Sequence, residues 1–192
     1  MASLTPETLT AMNLSKFILN IIGWKVNITT PDYAKCLICV APHTSNWDFI
    51  LGELAYTSIG RKAGFLMKEA WFRWPLGYFF RAIGGIPVPK KRGGSLTKAI
   101  VEKFNHSTRL VLAITPEGTR KPTAKWRHGF LHIAMEADVP LLLGAIDYKR
   151  KYIEISKQFM PTGDVDADLK EIKKFYSRFS AKYPEKFITD DE

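Results

Sequence analysis

The sequence predicts a single α/β domain in which helices flank a mixed, largely parallel sheet. The chain has 192 residues, 46% of them hydrophobic, which is the size of one domain with a substantial core. Strand-like and helix-like segments alternate along it, as in α/β layer structures. Two strand-like segments, near residues 36–41 and 110–115, are apolar apart from the terminal Thr115, which indicates strands buried on both faces of a sheet.

Residues 13–24 predict a short amphipathic helix ahead of this domain, whereas the polar residues 1–12 are predicted to be loose. The residues that recur at the spacing of one helical face are Leu14, Phe17, Ile18, Ile21 and Ile22. Such a stripe packs either on the domain or on a membrane surface, and the spacing does not decide between the two. We therefore divide the chain into an N-terminal segment, residues 1–24, and a main domain, residues 25–192.

The other elements are predicted from periodicity and from the turn residues between them. Strands are predicted near residues 36–41, 64–68, 85–89, 110–115, 140–147 and 152–157. Helices are predicted over residues 47–60, within the aromatic-rich segment 71–80, and over 93–104, 128–137 and 165–183. The last helix carries an apolar side formed by Leu169, Ile172, Phe175, Tyr176 and Phe179.

The charge balance predicts an anionic partner. There are 28 Lys and Arg residues against 19 Asp and Glu, a net charge of +9. Nucleic acid, an anionic membrane surface and a phosphorylated substrate are all compatible with this charge. No apolar run approaches the roughly 20 residues that span a bilayer, and residues 1–10 lack the basic and apolar regions of a signal peptide. We expect a soluble or peripheral protein.

Cys36 and Cys39 form a C-x-x-C motif, a spacing that is found in redox and zinc sites. The pair lies in the apolar strand predicted at 36–41, where residues three apart point to opposite faces. We therefore interpret both as free core thiols, which fits a reducing compartment. His128 and His132 share a helix face but lack the Glu of a metalloprotease helix, so no metal site is predicted.

Two polar motifs directly follow these two apolar strands. The first is an H-x4-D formed by His43 and Asp48, in which a histidine suits general-base chemistry and a carboxylate can orient it. The second is the segment 116–120, in which Gly118 permits a tight turn and Arg120 offers a planar fork suited to phosphate. Taken singly, the first motif could also be a His–Asp contact that only stabilises a loop. The second could be a turn with a solvated ion pair.

Four blocks in order make the pattern more specific. They are the H-x4-D, residues 84–90 (Gly-Gly-Ile-Pro-Val-Pro-Lys), residues 117–120 (Glu-Gly-Thr-Arg) and residues 139–142 (Val-Pro-Leu-Leu). Together they resemble the glycerolipid acyltransferase family that includes bacterial lysophosphatidic acid acyltransferases, over residues 36–147. Lys68 followed by Glu69 is similar to a further family feature. The second block departs from the family, since Pro89 and Lys90 stand where relatives usually have an acidic residue and Arg.

The resemblance implies that residues 25–192 form an acyltransferase catalytic domain. Its reaction would move a fatty acyl group from acyl-CoA or acyl carrier protein to a hydroxyl of a lysophospholipid-like acceptor. The first acceptor expected is 1-acylglycerol-3-phosphate. His43 would be the general base, oriented by Asp48, with no covalent acyl-enzyme, no cofactor and no metal. The residues expected to bind the acceptor and its phosphate are Lys68, Lys90, Glu117, Gly118, Thr119 and Arg120.

The resemblance and the charge together suggest a peripheral protein on the inner face of the cytoplasmic membrane, with the anionic lipid surface as a partner. Two alternatives stay open. One is a non-catalytic protein that binds lipid or membrane on the same fold, which would need no base at position 43. The other is a basic nucleic-acid-binding module, although no nucleic-acid motif is present and no such partner is expected.

Overall fold

The structure, a computed structural model, describes residues 5–88 and 94–189. Within these residues one mixed sheet contains seven strands: β1 (Lys25–Ile28), β2 (Lys35–Ala41), β3 (Gly64–Lys68), β4 (Gly85–Val88), β5 (Leu110–Ile114), β6 (Leu141–Asp147) and β7 (Tyr152–Phe159). Their order in the sheet is β1-β7-β6-β2-β5-β3-β4. Every neighbouring pair is parallel except β6 and β7. The predicted fold class, an α/β domain with a largely parallel sheet, is confirmed.

Helices cover both faces of the sheet. They are α1 (Pro6–Ile21), α2 (Asn46–Ser58), α3 (Leu76–Ala82), α4 (Gly94–His106), α5 (Gly129–Glu136) and α6 (Val165–Tyr176), with short 3₁₀ helices at Glu69–Phe72 and Pro184–Lys186. Helices α1 and α2 share a hydrophobic cluster with β6 and β7 on one face. Helices α4, α5 and α6 form the larger core cluster with the inward side chains of β2, β5 and β6 on the other face. The layers therefore run helix, sheet, helix.

Strand β2 lies between β5 and β6 and is buried on both faces, as its apolar sequence predicts. Cys39 belongs to the core cluster under α4, α5 and α6, whereas Cys36 packs into the cluster on the opposite face. Both thiols are free and buried, and burial raises the pKa of each. The interpretation of the C-x-x-C as two diverging core thiols is confirmed.

The prediction of the N-terminal region was partly wrong. The amphipathic helix is present, but it begins at Pro6, so residues 6–12 are helical and not loose. Thr5 caps this helix by accepting a hydrogen bond from the Thr8 N–H, and Pro6 occupies the first helical turn, where its missing N–H costs nothing. The division of the chain at residue 24 stays a prediction.

Two further elements differ from the sequence prediction. Strand β1 was missed, because four residues at a sheet edge are too few to show a period. Helix α6 ends at Tyr176 and not near residue 183. Beyond it, the Ser180 carbonyl accepts a hydrogen bond from the Tyr148 N–H. The chain beyond α6 is thereby brought next to the end of β6.

The apolar stripe of α1 points away from the domain. The helix packs on α2 through a different side, where Leu19 is 2% exposed and Ser15 is also buried. Leu14, Phe17 and Ile21 are 57%, 61% and 68% exposed. Among the described residues, no helix combines the length and apolarity needed to cross a bilayer.

The orientation of α1 predicts opposite effects for two leucines on the same helix. Leu19→Ala should lower the free energy of unfolding by about 2–4 kcal/mol, because it opens a cavity in the cluster with Trp24 and Leu51. Leu14→Ala, the matched control on the exposed side, should change it by less than about 0.5 kcal/mol. Urea unfolding followed by circular dichroism measures both. Equal losses in the two variants would contradict this packing.

Candidate active site

The two sequence motifs meet at one edge of the sheet. Strands β2 and β5 are parallel neighbours, with Cys39 opposite Ile114, so the loops that follow them leave from the same end. His43 follows β2 and Glu117 follows β5. The carboxyl ends of parallel strands are where α/β proteins build their sites. The tertiary structure thus brings together residues that are 74 positions apart in the chain.

Asp48 is held at the start of α2 by a capping box. Ser45 caps this helix by accepting from the Trp47 N–H, at 3.2 Å, and Asp48 reaches back toward the cap. The Oδ2 atom of Asp48 accepts hydrogen bonds from the backbone N–H groups of Thr44 and Ser45, each at 2.7 Å. The residue is only 2% exposed. The carboxylate is therefore fixed by the backbone of the loop that carries His43.

The imidazole of His43 faces this carboxylate. Its Nδ1 lies 3.5 Å from Asp48 Oδ2, and its side chain is 20% exposed. This distance is longer than an ordinary hydrogen bond. His43 also lines a large cavity. With Nδ1 turned toward Asp48, Nε2 is the nitrogen available to a ligand.

Tyr148 completes the surroundings of Asp48 and was missed by the sequence prediction. Its hydroxyl donates to Asp48 Oδ1 at 2.6 Å. Burial by itself would raise the pKa of Asp48, but the nearby His43 imidazole and the hydrogen bonds from Tyr148 and the Ser45 backbone outweigh it and lower that pKa. The carboxylate is consequently ionised at neutral pH. The available signal was positional, since Tyr148 follows directly on the apolar strand β6.

Glu117 turns inward and contacts His43. It is 3% exposed, and its Oε1 accepts a hydrogen bond from the His43 backbone N–H at 2.6 Å. Burial raises its pKa to about 7; the His43 N–H partly opposes this shift and the charge of Asp48 adds to it. The sequence prediction placed Glu117 in the acceptor pocket. The structure brings its carboxyl to the backbone of the histidine loop.

The rest of the second motif forms a turn at the cavity. Gly118 has φ of +63°, and a Cβ there would lie 2.9 Å from Cγ of Arg127, so the turn requires glycine. Thr119 Oγ1 accepts from the Lys121 N–H at 3.1 Å. Arg120 is exposed and lines the cavity, as do Lys125 and Arg127, which the sequence prediction missed.

Two predicted site residues are not placed by the structure. Lys90 lies outside the described residues. Lys68 is the last residue of β3, and its side chain is likewise outside the described part. Their assignment to the acceptor site stays a prediction.

The cavity has a volume of about 1610 Å³ and is largely apolar away from the two motifs. Ligand sites for drug-sized molecules typically measure about 300–1,000 Å³, so this space suits a larger ligand. Its apolar walls include Phe49, Phe65, Leu66, Met67, Phe79 and Phe80. The site therefore combines an imidazole and cationic side chains with a large apolar compartment.

His128 and His132 are the other histidines at this cavity. Their rings meet edge to face, with centroids 5.4 Å apart. Over residues 5–88 and 94–189, no group of three or more His, Cys, Asp or Glu side chains is arranged to hold a metal ion. We assign the two histidines to the cavity wall.

Comparison with known proteins gives a family and a fold. A family model described as Acyltransferase matches residues 25–144. The structure is similar to the crystal structure of the 1-acyl-sn-glycerophosphate (LPA) acyltransferase PlsC from Thermotoga maritima, with a TM-score of 0.59 and 18% identity over 89% of this chain and 77% of that chain. At this identity the likeness establishes the fold. No match to a curated protein was found.

The raised pKa of Glu117 predicts a pH-dependent stability. Between its ordinary pKa of 4.5 and about 7, the unfolded chain has lost this proton while the folded protein keeps it. The free energy of unfolding contributed by Glu117 therefore falls as pH rises through this window. Glu117→Gln keeps an acceptor for the His43 N–H but cannot ionise. It should gain roughly 1–3 kcal/mol relative to the wild type between about pH 4.5 and pH 8.

Urea unfolding at several pH values measures this difference. Glu102→Gln on the exposed side of α4 is the control. Its free energy of unfolding should change with pH in parallel with that of the wild type. A constant difference between Glu117→Gln and the wild type across the window would show that Glu117 does not keep its proton.

Proposed function

Because this chain belongs to the Acyltransferase family, we propose that it transfers a fatty acyl group from an acyl thioester to a hydroxyl of a lysophospholipid-like acceptor. The first acceptor to consider is 1-acylglycerol-3-phosphate. The observation that carries the proposal is the buried Asp48 carboxylate 3.5 Å from a partly exposed His43 at a large cavity. Acyl-CoA and acylated carrier protein are the two donors to consider. The reaction needs no cofactor besides the thioester.

In the proposed mechanism His43 is the general base. Its Nε2 removes the proton of the acceptor hydroxyl, and the resulting oxygen attacks the carbonyl carbon of the thioester. The carbon–sulfur bond then breaks, and His43 returns the proton to the leaving thiolate. Asp48, ionised at neutral pH, orients the imidazole and stabilises its protonated form during the transfer.

The cationic side chains around the second motif support an anionic acceptor. Arg120, Lys125 and Arg127 line the same cavity as His43. A guanidinium offers two parallel N–H donors that match a phosphate group. We assign the acceptor phosphate to this cluster, with Gly118 and Thr119 shaping the turn and Lys68 and Lys90 as further candidates.

The apolar compartment supports a fatty acyl chain as the transferred group. Phe49 and Ile50 of α2 and Phe79 of α3 line the cavity and are also exposed on the outside. Phe49 meets Phe65 edge to face, with ring centroids 4.4 Å apart. An apolar cavity with an apolar rim gives a chain a path from a lipid surface without passing through water.

The exposed apolar side of α1 supports peripheral membrane binding. Leu14, Phe17 and Ile21 lie on one side of the helix and are more than half exposed. A net charge of +9 favours anionic lipids. We place the protein on the inner face of the cytoplasmic membrane, where the free thiols Cys36 and Cys39 fit a reducing environment.

The catalytic assignment predicts the effect of two histidine substitutions. His43→Ala should lower acyl transfer by about 10²–10⁴-fold, since it removes the general base. His106→Ala, an exposed histidine at the end of α4, is the matched control and should keep transfer within about twofold of the wild type. The assay follows thiol release from acyl-CoA and from acylated carrier protein with lysophosphatidate, and mass spectrometry identifies the product.

Two outcomes would overturn the proposal. Wild-type transfer that survives His43→Ala would remove His43 from the mechanism. No transfer by the wild type from either donor to any lysolipid tested, together with specific lipid binding, would favour the non-catalytic alternative.

The membrane assignment predicts the effect of changing the α1 stripe. Replacing Leu14, Phe17 and Ile21 with Ser should lower binding to phosphatidylglycerol-containing vesicles by about tenfold or more, because it removes most of the inserted apolar area. The control replaces Asn13 and Asn20 of the same helix with Ser and should bind like the wild type. Vesicle sedimentation measures both, with thermal unfolding as a check on the fold. Equal binding by the two variants would exclude α1 as the contact.

A further inference from the structure

Tyr148 contacts the proposed His43–Asp48 pair from outside the cavity. Its hydroxyl donates to Asp48 Oδ1 at 2.6 Å, but Tyr148 is not among the residues that line the cavity. We propose that Tyr148 is a positioning residue, which locks the Asp48 carboxylate and thereby sets the orientation of the His43 ring. This inference rests on the proposed function.

The two oxygens of Asp48 have different partners. Oδ2 accepts from the backbone N–H groups of Thr44 and Ser45 and faces Nδ1 of His43. Oδ1 accepts from Tyr148. A carboxylate rotates easily about its terminal torsion. Hydrogen bonds to one oxygen alone would therefore leave the orientation of its plane poorly defined. The Tyr148 bond on the second oxygen fixes that plane and satisfies an oxygen that is buried.

Tyr148 is itself held from two sides. Its ring packs edge to face on Trp24, with centroids 5.1 Å apart and planes at 88°. Its backbone N–H donates to the Ser180 carbonyl at 2.8 Å. Trp24 is buried in the cluster beneath α1 and α2. The hydroxyl is therefore aimed at Asp48 by contacts from the end of the first helix region and from the chain after α6. Trp24, Tyr148 and Ser180 all lie outside the family match at residues 25–144.

The hydroxyl remains a donor throughout the working pH range. Burial raises the pKa of Tyr148 well above its usual range, and the hydrogen bond and charge of Asp48 and the nearby Tyr183 raise it further. The titratable groups that face this network are His43, Glu117 and Tyr183. As a donor, Tyr148 draws negative charge toward Oδ1 and away from the oxygen that faces His43.

The test is Tyr148→Phe, which removes the hydroxyl and keeps the ring against Trp24. We expect kcat for acyl transfer to fall by about tenfold with KM for the acceptor unchanged, because Tyr148 does not line the cavity. The acid limb of the kcat/KM profile should move up by about half a pH unit, since more negative charge then faces His43. The NMR titration midpoint of the His43 ring should move in the same direction, and this readout requires no turnover.

Two comparisons separate positioning from a general structural effect. In the Asp48→Asn background, adding Tyr148→Phe should change kcat by less than about twofold, because Tyr148 acts through Asp48. Tyr33→Phe is the matched control: its hydroxyl donates to Gln158 Oε1 at the opposite end of β2, and its loss should leave kinetics and the His43 titration unchanged.

The outcomes distinguish this inference from the proposed function. Loss of transfer in His43→Ala, with Tyr148→Phe like the wild type in kcat, pH profile and His43 titration, would overturn the role of Tyr148 alone. Equal losses from Tyr148→Phe with and without Asp48→Asn would also overturn it. If the wild type transfers no acyl group, the proposed function fails, and the His43 titration still decides whether Tyr148 acts on His43 through Asp48.

Discussion

The burial of one carboxylate constrains everything around the site. Asp48 is almost fully removed from water, and an ionised carboxylate in such a place is costly unless hydrogen bonds replace its hydration. The Thr44 and Ser45 N–H groups and the Tyr148 hydroxyl supply those bonds, and His43 faces the same carboxylate. The loop after β2, the first turn of α2 and the end of β6 must therefore stay in register. A shift in any of them would deprive the buried charge of at least one of its partners.

The sheet topology makes this arrangement possible. Strand β2 lies between β5 and β6 and runs parallel to both, so three neighbouring strands end at the same edge. Each contributes one group: His43 follows β2, Glu117 follows β5 and Tyr148 follows β6. The central strand is buried on both faces and cannot slide without moving its apolar side chains out of two clusters. The rigid centre of the fold and the candidate site are thus supported by the same strands.

Two buried carboxyl groups sit close together with opposite shifts of pKa. Asp48 accepts several hydrogen bonds, which lower its pKa despite burial. Glu117 accepts one from the His43 backbone and lies near the charge of Asp48, so burial dominates and raises its pKa to about 7. Opposite pKa shifts of this kind allow two carboxyl groups in one site to differ in protonation and therefore in role. Asp48 remains charged beside the imidazole, while Glu117 holds a large share of its proton at neutral pH and joins the two loops that carry the motifs.

The order of apolar and polar segments predicted the fold class, most element positions and the apolar stripe of α1, although not whether that stripe faces the domain. Together with the family resemblance, it marked the H-x4-D and Glu-Gly-Thr-Arg segments as candidate site residues. These are local properties, because periodicity and turn chemistry act over a few neighbouring residues. The short edge strand β1, the inward direction of Glu117 and the partnership of Tyr148 with Asp48 were decided only by the tertiary structure. Tyr148 is 100 residues from Asp48 in the chain, and their contact arises from the pairing of β6 with β2, which local sequence does not encode. The direction of α1 was decided in the same way, since whether Leu14 or Leu19 is buried depends on where α2 lies against the sheet.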